Sequence, residues 1–363
     1  MSLIQPLPAG LLDIVGDIHG EYDAMCSLMG HLGYDRQGRH PDGRTLVFVG
    51  DFCDRGPDSP AVLALVQELV ESRRAAAVLG NHEINLLRED SKDGSGWFFD
   101  ARMEKDQAKY APYERPDPAS RTRIVDFLST LPIGLERADL RVIHAAWQDE
   151  QIAAARKLLP GSVRQHYDEW ELAAKQEAAA TELEQRMAKE LESWTQGLEQ
   201  IHPKPPFLDA HADFEVSKQM KNPLKVLTSG VERKGMKPFY SSGKWRFAER
   251  VRWWDKYEDA IPVVVGHYWR RLKTIDRSPL GKGDPDLFNR ISPLAWHGKH
   301  RNVFCVDFSV GGRWTERKAG TVLGHDFKLA ALRWPERIVQ FDDGHHEMTQ
   351  HYRADPESVE MAL

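Results

Sequence analysis

Apolar residues along this chain gather in short runs, and run after run stops on a polar residue. "LLDIV" leads into Gly16-Asp17, "TLVFV" into Gly50-Asp51, and "AAAVL" into Gly80-Asn81-His82. Further on, "LRVI" leads into His144, "IPVVV" into Gly266-His267, and "NVFCV" into Asp307. Runs of this length and β-branched content predict buried strands. Helical spacing takes over between the early ones: Tyr22, Met25, Leu28, Met29 and Leu32 after Gly20, then Val62, Leu65, Val66, Leu69 and Val70 after Pro60. Strand–loop–helix alternation predicts an α/β sandwich, a fold class whose ligands collect beyond the carboxyl ends of the strands. The polar residues named above all fall at that end. One site assembled from several loops is the expectation.

Two stretches depart from the pattern. Residues 91–120 are polar and proline-containing but carry "GWFFD" and "YAPYERP". From Asp149 to Gln200 the chain is rich in Ala, Glu and Lys, with "KQEAAATELEQRMAKELESW" at its centre, and it predicts helices. We read 1–363 as a single domain and 149–215 as a helical insertion or cap within it.

Composition narrows the choice. The chain has 363 residues, 41% hydrophobic and 29% charged, in the range of a soluble globular protein. A net charge of −6 provides no overall positive field for nucleic acid or an anionic membrane. The start "MSLIQPLPAG" has neither the basic head nor the apolar stretch of a secretion signal. Cys26, Cys53 and Cys305 are far apart and odd in number, which argues against a disulfide framework and fits a reducing cytoplasm. Cys53 reads as a small buried filler rather than a nucleophile.

The strand-end residues Asp17, His19, Asp51, Asn81, His144 and His267 offer three oxygen donors and three imidazoles. Such a mixed set suits two divalent ions of borderline character, with Mn foremost and Fe, Zn or Co as alternatives. It suits a thiolate-bound structural zinc poorly. One ion would take Asp17 and His19, the other Asn81, His144 and His267, with Asp51 bridging. Two ions so placed clamp a phosphoryl group and activate water for attack. "GDFCDRG" sets Asp54 and Arg55 just past Asp51, and "GNHE" sets His82 beside Asn81. His82 is placed to protonate a leaving oxygen with Asp54 behind it, and Arg55 offers a planar fork for phosphate oxygens.

"GDIHG", "GDFCDRG" and "GNHE" in this order, followed by the histidines of "VIHAAW" and "VVVGHY", resemble the calcineurin-like metallophosphoesterases. More narrowly they resemble the phosphoprotein phosphatase branch, which groups Ser/Thr phosphatases with bacterial diadenosine-tetraphosphate hydrolases. The resemblance implies a β-sandwich flanked by helices, a dinuclear metal centre at the strand ends, and hydrolysis by a metal-activated hydroxide. Carried over residue by residue, it implies Asp17, His19, Asp51, Asn81, His144 and His267 as ligands, His82 with Asp54 as acid, and Arg55 with Asn81 on the substrate. It also implies a further arginine upstream of the last histidine, for which Arg246, Arg250 and Arg252 all stand as candidates. The expected substrate is phosphorylated: a phosphoprotein first, a dinucleoside polyphosphate as the alternative. A catalytically silent scaffold would lack Asp51, Asn81 or His82, and all are present.

Overall fold

The alternation inside each apolar run sorts its side chains between two cores. The computed structural model describes residues 2–194, 196–241, 243–280 and 282–353. In chain order the first half carries β1 (Ile4–Pro6), β2 (Leu12–Val15), α1 (Tyr22–Leu32), β3 (Thr45–Phe48), α2 (Ser59–Glu71), β4 (Ala75–Ala77), α3 (Asn81–Leu87), α4 (Asp100–Tyr110), α5 (Pro118–Thr130), β5 (Gly134–Arg137) and β6 (Leu140–Ile143). The rest carries α6 (Asp149–Ala155), α7 (Val163–Ala180), α8 (Leu183–Ser193), α9 (Asp209–Met220), α10 (Pro223–Ser229), β7 (Glu232–Ser241), β8 (Lys244–Arg250), β9 (Val263–Val265), β10 (Val303–Cys305), α11 (Arg313–Ala319), β11 (Ala330–Trp334), β12 (Ile338–Phe341) and β13 (His346–Met348).

Two sheets face each other. One runs β1-β5-β6-β9-β10 and the other β13-β12-β11-β2-β3-β4. β2, β3 and β4 are parallel, as are β6, β9 and β10, so the ends of these strands open onto one edge of the sandwich. Leu12 and Ile14 of β2, Val47 of β3, Val142 of β6, Val264 of β9 and Phe304 of β10 meet between the sheets. Their neighbours in sequence, Val15, Phe48, Ile143, Val265 and Cys305, point outward under the helices. With both faces covered, strands read as continuous apolar runs, which is why the pattern was visible.

The helices follow local signals. Asp58 caps α2 by accepting from the Ala61 N–H, and Pro60 stands in its first turn. Gly33 ends α1 with φ 98°, its N–H closing on Gly30 and Met29 carbonyls. α2 buries Val62, Leu63, Val66 and Leu69, while Leu65 and Val70 of the expected face are only half-buried. The helical stretch after β6 reaches Ser229 and is followed by the antiparallel hairpin β7–β8, whose Trp245 and Phe247 pack on Leu208 and Ala212 around α9. It is tied to the core: the Leu227 carbonyl of α10 accepts from the Ala145 N–H at 3.0 Å, one residue past His144. No helix among the described residues is long and apolar enough to cross a membrane.

β2 carries one charge into the interior. Asp13 is fully buried and accepts from Tyr34 Oη at 2.9 Å, Arg44 Nε at 2.9 Å and Arg333 Nε at 3.0 Å. Removing the carboxylate strands Arg44, itself buried, with only Glu336 as a charged partner. Asp13→Ala is expected to lower stability by about 3 kcal/mol, read as a shift of the urea unfolding midpoint. A midpoint that stays in place would contradict the role given to this network.

Candidate metal centre

All nine residues singled out for chemistry converge at the open edge of the sandwich. Asp17, His19, Asp51, Asp54, His82, His144 and His267 are all buried there. The Asp51 carboxylate is the hub. Its Oδ2 lies 3.8 Å from His19 Nε2, 3.8 Å from His82 Nε2 and 3.4 Å from His144 Nε2. Two donor groups share it, His19–Asp51–His82 and Asp51–His144–His267, the donor atoms of each lying within 4.8 Å of one another. Asp17 Oδ2 stands 4.0 Å from His19 Nε2, and Asn81 Oδ1 3.3 Å from His144 Nε2.

The imidazoles are oriented from behind. Nδ1 of His19 donates to the Cys53 carbonyl at 3.0 Å and Nδ1 of His144 to the Val49 carbonyl at 2.8 Å. Since a carbonyl only accepts, Nδ1 is the donor in each ring, and Nε2 is the nitrogen turned toward Asp51. His267 Nε2 is buried and meets no hydrogen-bond partner. Burial first, then Arg55 and His82, push the His19 pKa well below the ordinary imidazole range. Burial, then Arg250 and His144, do the same for His267. Both rings therefore stand neutral.

The carboxylates tell the same story. Asp17 is pushed well up, first by burial and then by Asp307 and Asp51, and burial with Asp51 also raises Glu83. Burial alone would raise Asp51, but His144 and His82 hold it well below the usual range. Acidic groups crowded away from water and an imidazole nitrogen without a donor are the surroundings a cation resolves. The donor set, oxygen and imidazole without thiolate, fits a divalent ion such as Mn, Fe, Zn or Co.

Close backbone approach holds this crowding together. A Cβ on Gly80 would lie 2.2 Å from Asp51 Oδ1, and one on Gly266 would lie 2.1 Å from Asp17 Oδ1. The Glu83 carboxylate accepts from the backbone N–H of Asp51, Phe52 and Gly80 at 2.8, 2.8 and 2.9 Å. Asp307, at the end of β10, accepts from the N–H of Trp269 at 2.7 Å and of Ser309 at 2.8 Å, fixing the turn after His267.

Beside this group stands a relay. His82 Nδ1 lies 2.5 Å from Asp54 Oδ2, and the other oxygen of Asp54 accepts from Trp97 Nε1 at 2.5 Å. Arg55 bridges the two imidazoles, Nη1 2.9 Å from His19 Nε2 and Nη2 3.1 Å from His82 Nε2. Its guanidinium carbon stands 5.2 Å from the centre of the Trp269 ring. Of the three candidate arginines, Arg250 lines the cleft beside Trp269, whereas Arg252 donates to the Asn289 carbonyl at 2.9 Å. Arg246 feels burial first, which lowers its pKa, against the charges of Glu215 and Glu232.

Other expectations find their place as well. Cys53 is buried, donates to Glu83 Oε1 at 3.4 Å, and is pushed well above the ordinary thiol range by burial and then Asp54, so it is a packing residue. "RVRWW" contributes core: Trp253 and Trp254 are buried, Trp253 Nε1 donating to the Ala145 carbonyl at 3.0 Å. Sequence reading passed over Glu83, Trp97, Trp269 and Asp307 as site residues. Glu83 adjoins the ligand motif and Asp307 ends a strand run, so a signal existed for both. Trp97 and Trp269 carried none beyond a preference of large aromatics for cores.

The family model described as calcineurin-like phosphoesterase matches residues 11–170. Among curated relatives, bis(5'-nucleosyl)-tetraphosphatase PrpE (asymmetrical) of Halalkalibacterium halodurans is 49% identical over 79 residues, 21% of this chain and 32% of that protein. The protein of the same name from Anoxybacillus flavithermus is 36% identical over 120 residues, 31% of this chain and 46% of that one. The chain thus spans between a third and a half of the length of these relatives. Among solved structures, a cold-active protein-tyrosine phosphatase of a psychrophilic Shewanella aligns over 95% of this chain and 83% of that one, at 17% identity and a TM-score of 0.47. A protein serine/threonine phosphatase of Saccharomyces cerevisiae aligns over 44% and 48%, at 16% identity and a TM-score of 0.31. The calcineurin-like phosphoesterase model thus runs from just before β2 to past His144, a little under half of this chain, and over that stretch the chain is similar to that family.

Proposed function

We propose that this protein is a metal-dependent phosphoesterase, and that Asp17, His19, Asp51, Asn81, His144 and His267 hold two divalent ions. The observation that carries the reading is the position of Asp51 Oδ2 between His19 and His144, with Asp17 beside the first and Asn81 beside the second. Bound there, a pair of divalent ions polarises a phosphoryl group and lowers the pKa of water to the point of attack. The chain's own residues do the remainder. Arg55, held between His19 and His82 and backed by Trp269, presents its planar fork to the phosphoryl oxygens. His82 Nε2 delivers the proton to the leaving oxygen, and Asp54 on its Nδ1 stabilises the charged ring. Trp97 acts as a positioning residue, pinning the second oxygen of Asp54 so that the first stays on His82.

Two substrate classes present a hydrolysable phosphoryl group to such a centre. One is phosphoserine or phosphothreonine in a protein; the other is a dinucleoside polyphosphate, the class in the names of the sequence relatives.

Asp51→Asn is expected to leave the unfolding midpoint close to wild type while cutting Mn-supported hydrolysis of p-nitrophenyl phosphate by about 100-fold or more. Full activity in that variant would contradict the shared-carboxylate centre. His82→Asn is expected to slow hydrolysis by about 100-fold for alkyl esters, whose leaving oxygens need a proton, and by much less for nitrophenyl esters. Trp97→Phe should show the same leaving-group dependence at about a tenfold cost. Equal slowing of alkyl and nitrophenyl esters would remove both residues from the proton path.

A further inference from the structure

Trp269 is shared between two cations. Arg55 approaches its ring from the metal centre, and Lys282 places its ammonium 3.3 Å from the same ring centre. Lys282 comes from the loop between β9 and β10, downstream of His267 and outside the matched family segment. Together with Arg250 it lines a narrow cleft that Trp269, Arg271, Arg277 and Asp284 also border. Charge within the cleft is unevenly spent. Arg271 is paired with Asp286 at 3.0 Å and Arg277 with Asp284 at 3.1 Å. Neither Lys282 nor Arg250 has a carboxylate within 4.0 Å among the described residues, and the buried Nε of Arg250 meets no hydrogen-bond partner. Four cationic side chains, Arg250, Arg271, Arg277 and Lys282, border the cleft against the two carboxylates Asp284 and Asp286, and an anion between Lys282 and Arg250 offsets the excess.

We infer that Lys282, with Arg250 beside it, forms a second anion subsite that takes a further phosphoryl group of the substrate, one linked through the chain of phosphates to the group held at Arg55. This rests on the phosphoesterase reading above and assigns its substrate class: compounds carrying phosphates linked through anhydride bonds rather than a lone phosphorylated side chain. Position supports the assignment. The indole that backs Arg55 is the same one that seats Lys282, so an anion leaving the metal centre along Trp269 meets the second cation directly. The ammonium exchanges a cation–π contact for a charge-assisted hydrogen bond to phosphate, the stronger of the two.

The test compares wild type, Lys282→Ala and Lys282→Arg, Mn-loaded, on diadenosine tetraphosphate and on p-nitrophenyl phosphate. The ratio of kcat/KM for the tetraphosphate over the monoester is expected to fall about tenfold in Lys282→Ala and to recover in Lys282→Arg. A ratio that does not change in Lys282→Ala overturns the subsite. Calorimetric titration with tripolyphosphate and with orthophosphate gives a second readout, independent of turnover. Wild type should prefer tripolyphosphate and Lys282→Ala should lose that preference; an equal preference in both proteins overturns the proposal. Should wild type hydrolyse neither ester, the phosphoesterase reading fails and the titration alone decides the anion site.

Discussion

Everything at this centre depends on a carboxylate that touches no substrate. Glu83, fully buried in the first turn of α3, accepts from three backbone N–H groups on two segments, Asp51 and Phe52 after β3 and Gly80 after β4. Those donors are orphans of two strand ends that have left their sheet, and burial would make each costly if unmet. By meeting them together, Glu83 locks the loop bearing Asp51 against the start of the helix bearing Asn81 and His82. The His82 N–H in turn donates to Asp51 Oδ1 at 3.1 Å. The hub carboxylate therefore has one oxygen committed to the backbone and the other left facing three imidazoles.

Such placement strains the chain. His19, Asp51, Asp54, Arg55, His267 and Trp269 all have positive φ, between 48° and 73°. None is glycine, and each costs on the order of 1–3 kcal/mol unless its surroundings over-determine it. Here they do: the sheets anchor each turn on its strand side, while Glu83, Asp307 and the Gly80 and Gly266 contacts fix the loop side. The outcome is a set of donor atoms whose mutual repulsion and desolvation are built in. That stored tension is what ties the fold to cation chemistry.

Much of this was legible in the chain. The strands read as apolar runs because helices cover both outer faces, and the candidate metal-binding residues read as their polar terminators because loops at one edge must carry any ligand. Asp17, Asp51, Asn81, His144 and His267 announced themselves this way, as did the dyad from its adjacency. What stayed hidden acts across long separations. Trp97 reaches Asp54 over 43 positions, and Lys282 reaches Trp269 from a loop with no periodic pattern. The hairpin β7–β8 was hidden for another reason: Trp245 and Phe247 alternate with Lys244 and Arg246, but the alternation stops after four residues, at Ala248. Among Arg246, Arg250 and Arg252, spacing alone could not choose. Which side of a two-stranded ribbon meets the cleft is a tertiary fact.

The central claim is that two ions share Asp51. Titration of metal-stripped protein with Mn, followed by electron paramagnetic resonance at two equivalents per chain, addresses it most directly. Ions bridged by one carboxylate are exchange-coupled, so the account expects two tightly bound equivalents and a coupled spectrum that disappears in Asp51→Asn. A single bound equivalent, or two equivalents giving only the spectrum of isolated Mn ions, would contradict it.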